Sequence, residues 1–272
     1  MGISPDGASF YIPGGEPFFF PGNDIGCLCL HGLQAQPQEM RWLGEHLAAQ
    51  GFTVYGPRTA GHGTAITDLR RTHWRDWYGS ALDGYRVLRQ TCRQVFVIGL
   101  SMGGVLSLHL GAREKPDGVA CLAGPLELDI PLLPYARYLK FVWRYTSKEP
   151  DENHRRIDRR MRAIQAARGE PVIGRAGYGY FPVASLAQFY DLIQATRAQL
   201  AHLTAPLLLI YSEGDQTVPV RNQDLVASLV GTPADDRHTL RLRQSGHLLT
   251  LDEEMETVFE AVAAFVRRYA ES

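Results

Sequence analysis

Gly99-Leu100-Ser101-Met102-Gly103, followed by Gly104, places a serine between glycines in the pattern G-x-S-x-G. A serine on a sharp strand-to-helix turn needs neighbours without side chains, and the turn then holds its hydroxyl clear of the sheet. The pattern is cheap in a chain with 27 glycines, so its flanks give it weight. Val95-Phe96-Val97-Ile98 before it is strand-like, and Val105-Leu106-Ser107-Leu108 after it suits a helix. The plainer alternative is a glycine-rich turn that only packs helix against strand. A serine hydroxyl is a poor nucleophile until a base takes its proton. Of the nine histidines, His247 fits best, in Gln244-Ser245-Gly246-His247-Leu248 between the last expected strand and the last expected helix. A loop at the end of a strand faces the same rim of an open parallel sheet as the serine turn. The base needs an acid to hold its tautomer. Asp215 follows an expected strand, in Glu213-Gly214-Asp215-Gln216-Thr217-Val218-Pro219. Its competing reading is an N-terminal cap for the next helix. Glu213 is the local competitor for the acid role, and Asp252 a weaker one. The order Ser101, Asp215, His247 is one of the known chain orders of a Ser-acid-His set, whose chemistry is acyl transfer. That chemistry needs two donors for a developing oxyanion, each worth about 3 kcal/mol. The expected donors are the N–H of Met102 and the N–H of Leu33, in the loop His31-Gly32-Leu33. Otherwise His31-Gly32 only turns the chain.

The other histidines read more plainly. His46 and His109 lie in helical patterns, as packing or surface residues. His73, His154, His202 and His238 lie in polar or boundary contexts with no convergent partner. His31 and His62 lie in glycine-flanked loops that could line a site without supplying the base.

These residues need elements to position them. Short apolar runs bounded by Gly or Pro alternate with helical periodicities. Strands are expected at Ile25 to Leu30, Phe52 to Tyr55, Val95 to Gly99, Gly118 to Leu122, Pro206 to Tyr211 and Thr239 to Leu242. Helices are expected at Trp42 to Gln50, Trp74 to Gln90, Met102 to Arg113, Leu186 to Leu203, Pro219 to Leu229 and Glu253 to Tyr269. Alternation with fully apolar strands implies an α/β fold, a mostly parallel sheet with helices on both faces. Residues 125–184 differ in character. An apolar stretch with Leu132, Leu133, Tyr135, Tyr138, Phe141 and Trp143 precedes a charged one, Asp151 to Glu170, with a stripe of Ile157, Met161 and Ile164. About sixty residues are too few for a separate core. The expectation is therefore one domain, 1–272, with an inserted lid at 125–184. The lid aromatics either line a pocket or pack a small core of their own. Arg155, Arg156, Arg159 and Arg160 stand among Asp151, Glu152 and Asp158, a mixed-charge pattern that reads as a solvated face.

The 272 residues are 45% hydrophobic and 21% charged, with 28 basic and 29 acidic side chains. That balance carries no chain-wide footprint for nucleic acid. No apolar run approaches the roughly 18 residues of a membrane span, so stable membrane insertion is not expected. The first 40 residues hold no Lys or Arg, so no secretory signal is visible and a cytoplasmic location is expected. Cys27, Cys29, Cys92 and Cys121 read as reduced, mostly buried packing residues. No second Cys or His pair stands at ligand spacing, so neither metal nor cofactor is expected. The expected partner is a small-molecule acyl ester, the expected state a monomer or weak homodimer.

Phe18-Phe19-Phe20, Cys29-Leu30-His31-Gly32-Leu33, Gly61-His62-Gly63, the serine turn, Gly214-Asp215-Gln216-Thr217-Val218-Pro219 and Ser245-Gly246-His247 occur in this order. Together they closely resemble the bacterial carboxylesterase and monoacylglycerol lipase family of α/β-hydrolases, from about residue 17 to the C-terminus except the lid. The resemblance implies a small-lidded serine esterase acting on short- to medium-chain acyl esters or monoacylglycerols. It puts nucleophile, acid and base on Ser101, Asp215 and His247, and the oxyanion amides on Leu33 and Met102. Leu33 stands where Phe is frequent in the family. The lid is where the likeness is least, and it shapes the acyl pocket. An acyl thioesterase or another Ser-triad hydrolase is the alternative reading. A non-catalytic binding protein would be expected to lack a triad member, and none is missing.

Overall fold

The computed structural model describes residues 11–147, 152–175 and 177–270. Its main sheet has seven strands: β1 (Phe18–Phe20), β2 (Ile25–Leu30), β3 (Thr53–Gly56), β4 (Gln94–Leu100), β5 (Gly118–Leu122), β8 (Leu207–Ser212) and β9 (Arg237–Leu242). They lie side by side in the order β1-β3-β2-β4-β5-β8-β9. All neighbours pair in parallel except β1 with β3. The helices are α1 (Gln38–Ala49), α2 (Ile66–Arg71), α3 (Trp74–Thr91), α4 (Met102–Glu114), α5 (Ala136–Leu139), α6 (Glu152–Ala167), α7 (Val183–Arg197), α8 (Arg221–Leu229) and α9 (Met255–Ala270). Strands β6 (Tyr145–Ser147) and β7 (Tyr180–Pro182) form a separate antiparallel pair.

The strands are apolar throughout because both faces are covered. Along β4, Phe96, Ile98 and Leu100 join the core under α1 and α9, while Val95 and Val97 join the one under α3, α4 and α7. This period of two in a fully buried strand is the mark of a sandwiched parallel sheet.

Most expected elements are present, with boundary shifts that have local causes. Helix α1 starts at Gln38 rather than Trp42, because Glu39 and Met40 face inward and Pro37 opens the turn. The helical stretch from Leu186 begins earlier, at Val183, and stops at Arg197; a 3-10 turn, Leu200–His202, follows. Strand β1 is too short to carry a periodic signal. It is held by Phe18, whose ring fills the space over Gly44 and Gly56. Between β5 and β8 the chain leaves the sheet and builds α5, β6, α6 and β7 before α7 returns it.

The sharpest feature of the sheet lies between β4 and α4. Ser101 has φ 58° and ψ −118°, a conformation that costs free energy for any residue with a side chain. A Cβ on Gly99 would stand 2.0 Å from the Gly103 carbonyl oxygen, and one on Gly103 would stand 2.0 Å from that of Leu30. The glycines therefore let α4 start against the ends of β2 and β4. Gly103→Ala is expected to destabilise the fold by about 3 kcal/mol, read as a lower urea midpoint, because backbone rather than a flexible side chain must move.

Candidate active site

The strand ends bring Ser101, His247 and Asp215 together. His247 Nε2 is 2.9 Å from Ser101 Oγ, and His247 Nδ1 is 2.8 Å from Asp215 Oδ2. A carboxylate only accepts, so Nδ1 carries the proton and Nε2 is left to accept from the serine hydroxyl. The other oxygen of Asp215 accepts from the N–H groups of Thr217 and Val218, at 2.8 and 2.9 Å. Asp215 thus anchors the turn ahead of α8, while the N-cap position of that helix falls to Val220. Glu213 is exposed. Asp252 is fully buried with other partners.

The loop bearing His247 is held from below and from above. Glu254 accepts from the N–H groups of Gln244 and Ser245 and from the Ser245 hydroxyl. Asp252 Oδ2 accepts from Gly246 N–H at 2.7 Å and from Arg156 Nη2 on α6 at 2.6 Å. Arg160 donates to the Leu251 carbonyl and to Glu253. The solvated-face reading of these arginines is therefore corrected. Arg159 and Arg162 do bridge exposed carboxylates, but Arg156 and Arg160 fasten α6 to the histidine loop. A residue spacing of four let both reach one side of the helix. Asp151 and Ala176 lie outside the described residues.

Of the expected oxyanion donors, Met102 follows the serine in sequence and Leu33 lines the same cavity as Ser101. Neither Leu33 N–H nor Met102 N–H has a partner among the described residues. The Leu33 amide is aimed by its own peptide plane. Thr59 N–H donates to His31 Nε2 at 3.2 Å, so Nδ1 holds the proton and donates to the Gly32 carbonyl at 2.9 Å. In a trans peptide the carbonyl and the next N–H point in opposite directions. Gly32 itself packs with its Cα face against Ser101 Cβ. Burial lowers the His31 pKa to about 4, and puts that of its neighbour His62 well below its ordinary value.

A cavity of about 240 Å³ opens over the serine, walled by Leu33, Leu128, Ile130, Leu133, Phe181 and Phe189 among others. Its polar end holds His154, Thr217 and the ion pair of Arg175 Nε with Glu39 Oε1, at 2.8 Å. His154 was expected to lack convergence; it borders the cavity because it stands one turn before the buried Ile157 on α6. His238 likewise has a partner, Tyr269 Oη at 2.8 Å. His109 packs edge-on against Trp74 and Tyr78, as a packing residue should. Of the six apolar residues singled out from the sequence between Leu132 and Trp143, only Leu133 borders the cavity. Leu132, Tyr135, Tyr138, Phe141 and Trp143 are exposed, Phe141 by 82%. The 3-10 turn and the four-residue α5 that carry them are too thin to cover a core. The pair Glu39 and Arg175 was not singled out from sequence, because its members are 136 residues apart.

Among the described residues no cluster of three or more His, Cys, Asp or Glu could hold a metal ion, and no helix is long and apolar enough to cross a membrane.

A mostly parallel sheet with helices on both faces and a serine at a β4–α4 turn defines an α/β-hydrolase. The family model described as serine aminopeptidase, S33 (Hydrolase_4) matches residues 24–254, and the chain belongs to that family. It is 32% identical to a thermostable monoacylglycerol lipase of Bacillus sp. (strain H-257) over 259 residues, 95% of this chain and 97% of the relative. It is 26% identical to a carboxylesterase of Bacillus subtilis (strain 168), over 93% of this chain and 96% of that one. Among solved structures, a metagenome-derived lipolytic enzyme from the study of LipS and LipT superposes with a TM-score of 0.83 at 26% identity, covering 95% of this chain and 99% of that one. The Paleococcus ferrophilus monoacylglycerol lipase shares the fold, with a TM-score of 0.75 at 17% identity over 93% of this chain and 98% of its own. The protein is a carboxylic ester hydrolase.

Two outcomes follow from the buried groups. His31 and His109 have folded pKa values of about 4 against an ordinary 6.5, so below pH 6.5 the unfolded chain binds protons that the fold excludes. Stability should therefore fall from about pH 6.5 down to about 4, by on the order of 3 kcal/mol per site. Urea midpoints across that range check this, and His109→Leu should flatten the slope. Arg156→Met leaves the Asp252 carboxylate buried without its cation and should cost about 2 kcal/mol in the same assay.

Proposed function

We propose that the protein is a serine esterase of monoacylglycerol lipase type, cleaving short- to medium-chain acyl esters through an acyl-enzyme on Ser101. The observation that carries this is the unbroken chain Ser101 Oγ, His247 Nε2, His247 Nδ1, Asp215 Oδ2, opening onto an apolar cavity of about 240 Å³. As Ser101 Oγ attacks the ester carbonyl, His247 Nε2 takes its proton and Asp215 stabilises the imidazolium. The carbonyl oxygen becomes an oxyanion held by the Leu33 and Met102 amides. When the tetrahedral species collapses, the ester C–O bond breaks and His247 returns the proton to the leaving alcohol. Water then repeats the cycle on the acyl-serine and frees the acid. The strained backbone at Ser101 keeps the hydroxyl in reach of both donors. Apolar walls favour the acyl chain by about 0.8 kcal/mol per buried methylene. The polar end with His154, Thr217, Arg175 and Glu39 suits a leaving alcohol that carries further oxygens. Residues 125–184 act as the lid over this cavity. A reducing, cytoplasmic setting suits the four cysteines, all free and buried.

Initial rates on p-nitrophenyl esters of increasing chain length test the reading. Wild type should peak at short or medium chains. Ser101→Ala should lose at least about 10³-fold, and Asp215→Asn should lose a similar factor, while Glu213→Gln stays within about threefold of wild type. Full turnover by Ser101→Ala, with no covalent labelling of Ser101 by a fluorophosphonate, would sink it.

A further inference from the structure

A second cleft, of about 360 Å³, adjoins the cavity over Ser101. The two share the walls Leu128, Ile130 and Leu133. They also share one helix face. Leu186 and Phe189 of α7 border the inner cavity, and Tyr190, Ile193, Gln194 and Arg197 border the outer cleft. These positions recur every three or four residues, so they form a single stripe about 16 Å long along α7. The floor is thus continuous, and what interrupts it is the segment from Leu126 to Leu133 crossing above.

That segment is built to stay in place. The buried Asn222 side chain accepts from the N–H groups of Leu126 and Glu127, both at 2.8 Å, and donates to the Glu127 carbonyl. Glu127 pairs with Arg197 at 3.0 Å, and Asp129 pairs with Arg221. Both ion pairs lie on the outer side. Between these anchors Leu128 is half-buried and packs against the apolar cluster of α3, α4 and α7 and also against that of β5, β8 and α8. With Ile130 and Leu133 it lines both cavities where they adjoin.

We propose that the segment from Leu126 to Leu133 is a partition across one groove, and that Leu128 sets the longest acyl chain the enzyme accepts. This rests on the esterase reading of Ser101. An acyl chain of medium length fills the inner cavity and stops at Leu128. A longer chain must displace that side chain to run on along α7. The occupant of the outer cleft is then the distal part of a long fatty acyl group. Its lining is mixed: Leu126, Pro134 and Ile193 are apolar, while Glu127, Asp129, Gln194, Arg197 and Arg221 are polar or charged. The amphipathic lining suits a chain end that lies close to solvent.

The test reads the ratio of kcat/KM on p-nitrophenyl laurate to that on p-nitrophenyl butyrate. Each methylene that gains an apolar wall is worth about fourfold, so Leu128→Ala should raise the ratio at least about tenfold. Gln194 is exposed at the outer cleft, and Gln194→Trp fills it from α7. In the Leu128→Ala background it should return the ratio to within about threefold of wild type. Leu128→Phe thickens the partition and should lower the ratio, which keeps the test decisive if the alanine variant does not fold. An unchanged ratio in both Leu128 variants, or a gain that survives Gln194→Trp, would overturn the partition while butyrate turnover leaves the esterase reading intact. A wild type that hydrolyses neither ester would overturn both.

Discussion

The close approach of Gly103 to the Leu30 carbonyl, and of Gly99 to the Gly103 carbonyl, leaves no room for a Cβ, and the site is arranged around it. Helix α4 can start where it does only because its first turn carries glycines against the ends of β2 and β4. That start forces Ser101 into a left-handed conformation. It also brings the serine beside Gly32, in the loop that follows the adjacent strand β2. The strain is local, and the wide buried sheet around it keeps the turn from relaxing.

Around this turn each loop is held by the hydrogen bonds of polar side chains. Asp215 holds the turn after β8, Glu254 and Asp252 hold the loop after β9, and His31 holds the loop after β2. Tyr211 ties β8 to the Gly124 carbonyl at 2.6 Å, and Ser212 donates to the Ser245 carbonyl. Such networks favour one arrangement because a broken member leaves a buried group unsatisfied. The loops at the ends of β2, β8 and β9 are thus each fixed by side-chain hydrogen bonds.

The strands, and the serine, aspartate and histidine that meet at their ends, were legible because they are local. A buried strand is a run of apolar residues, and the serine, acid and histidine each stand in a short motif at a strand end. What was not legible depends on contacts distant in sequence. Arg156 looks like any surface arginine until Asp252 meets it from 96 residues away. The pairing of Arg175 with Glu39 is of the same kind. The aromatics between Tyr135 and Trp143 misled for a different reason. Burial of an aromatic is a default that holds only when enough chain surrounds it, and the short turn and helix at Leu133 to Leu139 supply too little. Strand β1 was missed because three residues cannot show a period.

The cysteines add a property unrelated to catalysis. Cys27 and Cys29 lie within β2, and Cys121 within β5, all fully buried. Burial raises the thiol pKa of Cys29 to about 12 and that of Cys121 to about 11, and pushes that of Cys27 up as well. Thiolate is the reactive form, so these sulfurs are chemically silent while the sheet is intact. They stand on the strands either side of the one that ends at Ser101. Alkylation of Cys27, Cys29 or Cys121 by a maleimide therefore clocks the opening of the central sheet itself, and the chain carries its own gauge of how often these buried strands come apart.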